Sequence, residues 1–311
     1  MRVIEVTKYG GPEVLKAADW PDPTPTDGKV RVRVIATTVG ASDLAAREGG
    51  WASLMPNAKP PIVLGWDYVG ELLDPAPGMG VGQRVAGMYP WAGLADGTGT
   101  YAEMVLADPG WFTALPDGAD PIEAATVAIN GLAALQALRS TDVRAGQSLL
   151  VTGVGGTVGA IAVQLAVDAG VHVIAVTSRG DEDYVSSLGA KEIIERVPGE
   201  DLVVTVQQRY PDGVDAVLDA SAKVPGLIAA VRDGGAFASV SDLATPPAER
   251  GVRVDTIHSQ SEPDSLADLL GRLASGQLRT RVAAVLPLNQ AAEAHRRFAA
   301  GPLRGKLVLT P

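Results

Sequence analysis

Cysteine is absent from all 311 residues. That gap removes disulfides, thiolate nucleophiles, iron–sulfur clusters and cysteine-ligated zinc from consideration. Histidine is nearly as scarce: His172, His258 and His295 are the only three, and they are scattered without metal-site spacing. Positive charge is in the minority, with 26 Lys and Arg against 36 Asp and Glu and a net charge of −10. A nucleic-acid surface needs a basic patch to displace counterions, so no nucleic-acid partner is expected. The N-terminal residues are charged early and hold no apolar core of leader length, which leaves the cytoplasm as the expected location. One uncharged stretch, 149–167, reaches membrane-spanning length. Its four glycines, with Thr152, Thr157 and Gln164, read better as strand, turn and buried helix, so no membrane association is expected.

What remains is an ordinary globular composition, 46% apolar and 20% charged. Up to about residue 118 the chain carries short β-branched runs (30–36, 62–64, 101–105) separated by turn clusters (21–28, 74–82, 95–99), the pattern of a small irregular β domain. From residue 120 the texture changes. A helix is expected over 122–139, strands over 148–152 and 172–177 with a helix between them at 158–169, and later strands at 216–219 and 236–240. Strands alternating with helices mean βαβ units and a doubly wound parallel sheet. An amphipathic helix at 265–275 and a strand, helix and strand over 285–309 close the chain.

The sharpest local signal is the run Gly153-Val-Gly155-Gly156-Thr157-Val158-Gly159, which leaves an apolar strand and opens a helix. Strict GxGxxG spacing fails, but Gly153-x-x-Gly156-x-x-Gly159 serves the same needs: a tight turn, backbone approach to a pyrophosphate, and close packing of helix on strand. A plain strand-to-helix turn is the alternative. The next strand ends in Thr177-Ser178-Arg179-Gly180, about where a dinucleotide's ribose is recognised. A guanidinium and hydroxyls suit a 2′-phosphate, whereas Asp181 follows too late to sit at the strand end, so the expected cofactor is NADPH. A solvated surface Arg is the alternative for Arg179.

Seven further segments carry a resemblance: Tyr9-Gly-Gly-Pro-Glu-Val-Leu15, Gly65-Trp-Asp-Tyr-Val-Gly70, Val81-Gly-Gln-Arg-Val85, Gly99-Thr-Tyr-Ala-Glu103, Asn130-Gly-Leu-Ala-Ala-Leu-Gln-Ala-Leu138, Leu188-Gly-Ala190 and Arg304-Gly-Lys-Leu-Val-Leu309. In this order and with the glycine run, the chain resembles the medium-chain dehydrogenase/reductase superfamily over essentially its whole length. It is most similar to the zinc-independent quinone oxidoreductase branch, which includes zeta-crystallin-like proteins. The resemblance implies an α/β protein in which a GroES-like, β-rich catalytic domain (1–118 and 281–311) is interrupted by a Rossmann NADPH-binding domain (119–280). It also implies a homo-oligomer, commonly a dimer.

Zinc members of the superfamily hold their catalytic metal with Cys, His and Cys. The corresponding places here are Gly40, Trp66 and Thr126. Ser42 stands where those enzymes carry a proton-relay hydroxyl; a turn hydroxyl capping its own backbone is the alternative. A tyrosine and an asparagine common among relatives are replaced by Ala45 and Gly40. Asn130 corresponds to a position that approaches the nicotinamide, with a helix-start cap as the alternative. Trp51, Trp66 and Trp91 fall in segments that border the family's substrate cleft, where they would suit a flat apolar or aromatic substrate, or would simply pack a core. Asp43 and Arg47, four residues apart, are expected to form a structural ion pair. Tyr101 and Asp67 are expected to fix turns, and His172 and His295 to be structural.

Without a metal the favoured acceptors are those that delocalise negative charge themselves. The expected activity is therefore NADPH-dependent reduction of a quinone or an α,β-unsaturated carbonyl compound. The alternatives are a pathway-specific enoyl or polyketide-type reductase, or an NADPH-binding protein with a cyclase, isomerase or sensor role.

Overall fold

The computed structural model describes residues 1–26, 28–53, 58–90, 97–241, 245–301 and 303–311. The N-terminal part runs through β1 (Arg2–Val6), β2 (Leu15–Asp19), β3 (Val30–Val39), helix α1 (Ala41–Glu48), β4 (Ile62–Val63), β5 (Asp67–Leu72), β6 (Arg84–Met88), β7 (Met104–Ala107) and β8 (Phe112–Ala114). Helix α2 (Pro121–Thr141) follows. It is long and apolar enough to cross a membrane, but most of its apolar window is buried inside the protein, as in the core helix of a soluble domain.

Alternation of strand and helix then runs through β9 (Ser148–Thr152), α3 (Thr157–Asp168), β10 (His172–Thr177), α4 (Glu182–Ser187), β11 (Glu192–Glu195), α5 (Leu202–Arg209) and β12 (Val214–Asp219), and β13 (Val231–Ser239) and β14 (Arg253–Thr256) follow without a described α-helix between them. These strands form one parallel sheet in the order β11-β10-β9-β12-β13-β14. The crossover between β9 and β12 is the switch point at which such sheets bind dinucleotides. The inner strands are apolar runs because helices cover both faces. Leu150, Ile174, Val217 and Phe237 form the centre of that core.

The chain returns through α6 (Pro263–Ala274), β15 (Val282–Pro287), α7 (Ala291–Ala299) and β16 (Lys306–Thr310). In α6, Leu266, Leu269, Leu270 and Leu273 make the buried stripe that helical periodicity requires, and the helix packs on β8. β16 pairs antiparallel with β3 and parallel with β15, which completes the sheet β15-β16-β3-β5-β6-β8. A smaller sheet, β2-β1-β4, stands beside it.

Two compact units result, residues 1–129 with 260–311, and residues 130–259. The expected junctions at 118/119 and 280/281 differ from these. α2 is one continuous helix through the first junction, and α6 belongs with β8 rather than with the parallel sheet. Helices α4 and α5 and strands β11 and β14 were not foreseen. Both strands lie at sheet edges, where short charged segments such as Glu192-Ile-Ile-Glu195 lack the apolar run that marks an inner strand. Leu150→Ala, in the middle of β9, is expected to lower stability by about 2–5 kcal/mol, read from the urea unfolding midpoint.

Candidate functional site

In the parallel-sheet unit the glycine run makes a turn that admits no side chain. Gly153 has φ +69°, and a Cβ there would lie 2.7 Å from the Ala220 carbonyl carbon. A Cβ on Gly159 would lie 2.5 Å from the Gly153 oxygen, so α3 is drawn onto the turn. Gly155 and Gly156 are less crowded, with no backbone atom within 3.2 Å of either position. The residue before α3, Gly156, supplies no side-chain cap, and the first backbone N–H groups of a helix have no partner within it. Thr157, 8% exposed, adds a buried hydroxyl with no hydrogen-bond partner. Unpaired donors at a positive helix end, beside glycines that allow close approach, fit the pyrophosphate of a dinucleotide.

Asp219, at the end of β12, holds this edge together. Its Oδ1 accepts from Thr152 Oγ1 at 2.5 Å, Ser221 N and Oγ at 2.9 Å each, and Ala222 N at 3.2 Å.

Ser178 and Arg179 follow the end of β10, and both are exposed. The Arg179 side chain is 81% exposed, and its Nε donates to Glu195 Oε1 at the end of β11, 2.8 Å away. Asp181 lies beyond the end of β10, as expected, yet it is not remote from the glycine run. The Ser178–Asp181 turn, closed by Asp181 N to Ser178 O at 3.3 Å with Gly180 at φ +84°, returns the residue to the glycine run. Its Oδ2 lies 3.2 Å from where a Cβ on Gly155 would be, and the residue is 6% exposed. Asp181 precedes α4 yet does not cap it. The Gly180 that makes this turn was the available signal.

In the other unit, α1 starts directly after β3, with Gly40 as its cap residue. Asp43 Oδ2 accepts from Gly40 N at 2.8 Å, and its Oδ1 from Gly65 N at 3.1 Å. The expected Asp43–Arg47 ion pair therefore does not form. The carboxylate is taken by backbone donors that would otherwise be buried unpaired, and Arg47 turns to Gly10 O (3.0 Å), His295 Nδ1 (2.9 Å) and Glu48. Ser42, half-buried in the first turn of α1, makes no hydrogen bond to any described residue, so its hydroxyl is not a local cap. A Cβ on Gly40 would sit 3.7 Å from Ser42 Oγ and 3.2 Å from Lys306 Nζ. The missing side chain at position 40 thus leaves a hydroxyl, an ammonium and the Asp43 carboxylate oxygen, 3.6 Å away, around one point.

Lys306, 9% exposed, feels the charges of Asp67 and Asp43. Asp67 accepts from Thr38 N (2.9 Å) and Thr38 Oγ1 (2.7 Å). Burial pushes Asp43 up to about 7, against the Gly40 N–H and Lys306, and it raises Asp67 as well. Burial lowers Lys306, against the pull of both carboxylates. His295 is neutral: a guanidinium only donates, so Nδ1 accepts from Arg47, and Nε2–H donates to Tyr101 Oη at 3.2 Å. Tyr101 then donates to Thr38 O at 3.5 Å. Burial first, then Arg47, lowers His295 to about 3. His172 bonds Glu192 and Tyr210 on the surface of the parallel-sheet unit, both at 3.2 Å.

Trp66 is buried in the unit's core with Trp51 packed edge-on at 5.1 Å, which is the packing alternative for Trp66; Trp51 keeps part of its surface exposed. Trp91 lies outside the described residues. Asn130 is buried in the middle of α2, which removes the helix-start alternative. The residues do not fit zinc. Gly40 and Trp66 offer no ligand, and the Thr126 hydroxyl is bonded to Glu123 O (2.7 Å) and Thr280 Oγ1 (2.6 Å). No group of three candidate ligands exists among the described residues.

The sequence matches the alcohol dehydrogenase GroES-like domain over residues 26–117 and the zinc-binding dehydrogenase family over residues 188–309. It is 28% identical to a quinone oxidoreductase of Pseudomonas aeruginosa across 99% of each chain. It is 32% identical to an alcohol dehydrogenase of Rhizobium meliloti over 70% of this chain and 66% of that one. The solved quinone oxidoreductase of Coxiella burnetii superimposes with a TM-score of 0.89 at 27% identity, covering 100% of this chain and 99% of the other. A mycobacterial protein solved with NADPH gives 0.84 at 26% identity over 100% of both.

Two buried groups make stability depend on pH in opposite directions. His295 binds a proton more weakly folded (about 3) than unfolded (6.5), so its stabilisation is present above 6.5 and is lost as pH falls towards 3. Asp43 holds its proton more tightly folded (about 7) than unfolded (3.8), so stability falls as pH rises from 3.8 to about 7. Measured against wild type, Asp43→Asn should shift the pH slope of the melting temperature towards stabilisation with rising pH, and His295→Gln should shift it the other way, each by at most about 1.4 kcal/mol per pH unit.

Proposed function

From the chain's membership of the medium-chain dehydrogenase/reductase superfamily, in its quinone oxidoreductase branch, we propose that it uses NADPH to reduce a quinone or an α,β-unsaturated carbonyl compound without a metal. The observation that carries this reading is the pairing of a turn that suits a pyrophosphate, with its orphaned Thr157 hydroxyl, and the places of the zinc ligands taken by Gly40, Trp66 and Thr126. NADPH rather than NADH is supported by Ser178 and Arg179 after β10 and by the NADPH-bound mycobacterial neighbour.

When bound, the reduced nicotinamide supplies the hydride. The protein's part is to hold and polarise. Gly155 and the first turn of α3 would bind the pyrophosphate through backbone N–H groups, the Gly156 N–H being used by Gly153 O at 3.0 Å, and Thr157 adds a hydroxyl donor. A conjugated acceptor spreads the negative charge it gains, so it needs hydrogen-bond donors rather than a Lewis acid. Ser42 Oγ, which has no partner among the described residues, is the donor we assign to the substrate oxygen and its proton, on the strength of the family resemblance. Lys306, close to the same point, adds positive potential.

The test follows loss of NADPH absorbance with a panel of quinones, enones, enoyl thioesters and aldehydes. Turnover is expected with the first two classes, and binding of NADPH without turnover on any acceptor would overturn the reductase reading. Thr157→Val should weaken NADPH binding about tenfold in a fluorescence titration. Ser42→Ala should lower kcat by about ten- to a hundredfold while leaving the KM for NADPH unchanged.

A further inference from the structure

The loop after β10 holds a contradiction that the NADPH reading alone does not resolve. Its single cation, Arg179, already donates to Glu195 across the end of β11. The two residues after Gly180 are Asp181 and Glu182, and Glu182 takes the Gly180 N–H at 2.8 Å. The charges of Glu195 and Glu182 both act on Arg179. Asp181 is the one carboxylate of this loop that is buried, and it faces the glycine run, with Oδ2 3.2 Å from the Cβ position of Gly155. In a dinucleotide fold the first turn holds the pyrophosphate, and the end of the second strand meets the ribose. Asp181 touches the first and follows the second.

A carboxylate in that place accepts a hydrogen bond from a free 2′-hydroxyl and repels a 2′-phosphate dianion. Arg179 does the reverse, but with its Nε committed to Glu195 and its side chain in water its pull is screened. Neither preference can dominate.

We infer that Asp181 is the residue that sets the cofactor ranking, and that its carboxylate holds down the NADPH preference so that this protein accepts NADH as well. This rests on the proposal that the glycine run binds a nicotinamide dinucleotide. It extends that proposal by assigning to Asp181 the selectivity expected of Ser178 and Arg179.

The test is calorimetric titration of the full chain with NADPH, NADH and two fragments, ADP and adenosine 2′,5′-bisphosphate, which differ at the ribose. Wild-type protein should bind NADPH and NADH within about tenfold of each other. Asp181→Asn, close to isosteric, should shift the ratio of bisphosphate to ADP affinity at least tenfold towards the bisphosphate, mainly by strengthening the former. Glu195→Gln, on the surface, should shift the same ratio in the same sense by a smaller factor because it releases Arg179. This second variant keeps the test open should Asp181→Asn fold poorly. Arg179→Ala should move the ratio the other way. Ratios within twofold of wild type in both Asp181→Asn and Glu195→Gln would overturn the inference while leaving the dinucleotide site standing, as would a wild-type preference for NADPH above a hundredfold. Failure of all four ligands to bind wild-type protein would overturn the dinucleotide reading itself.

Discussion

An ammonium inside a β domain is expensive unless carboxylates face it, and the Lys306–Asp43–Asp67 cluster is the constraint around which the discontinuous unit is arranged. Lys306 comes from β16, Asp67 opens β5, and Asp43 lies in the first turn of α1. Each carboxylate also collects backbone donors: Gly40 and Gly65 for Asp43, Thr38 for Asp67. The charges therefore fix the segments carrying Ser42 and Trp66 relative to one another. Behind them, Arg47, His295 and Tyr101 continue the polar contacts to the carbonyl of Thr38, so α1, α7 and β3 are bonded through a single neutral imidazole. Three groups that would be costly if separated are tolerated because each satisfies another.

The parallel-sheet unit solves a different problem with smaller parts. Its turn has to leave donors unpaired for a ligand and yet stay rigid. Rigidity comes from Asp219, which ties Thr152 at the end of β9 to Ser221 and Ala222 beyond β12, and from the close approach of Gly159 to Gly153. What is left open is the Thr157 hydroxyl, the N-terminal turn of α3 and the second carboxylate oxygen of Asp219, which is buried without a partner.

The fold was largely legible because its inner strands are apolar runs and its turns are glycine-rich. β10 falls on the expected residues 172–177, and α3 begins one residue earlier than expected. The edge strands β11 and β14 escaped because solvent on one side permits Glu192, Glu195, Arg253 and Asp255. The glycine run was legible because its chemistry is local to a few residues. Asp43 was not: spacing along α1 pointed to Arg47, and no one-dimensional pattern reveals that Gly65, more than twenty residues away, presents an N–H to it. The approach of Asp181 to the glycine run was hidden for a related reason, since Gly180 folds the chain back beyond the end of β10.

The pairing of β16 with β3 carries a consequence for how the molecule is made. Residues 130–259 form a contiguous unit that can fold as soon as it leaves the ribosome, whereas the unit that begins the chain has to wait for residues 260–311. During that interval β3 presents an unpaired edge at Thr37–Val39, and Asp43 and Asp67 lack their counter-charge. A chain halted before Lys306 would leave both defects uncorrected in its first-made domain while its second was native.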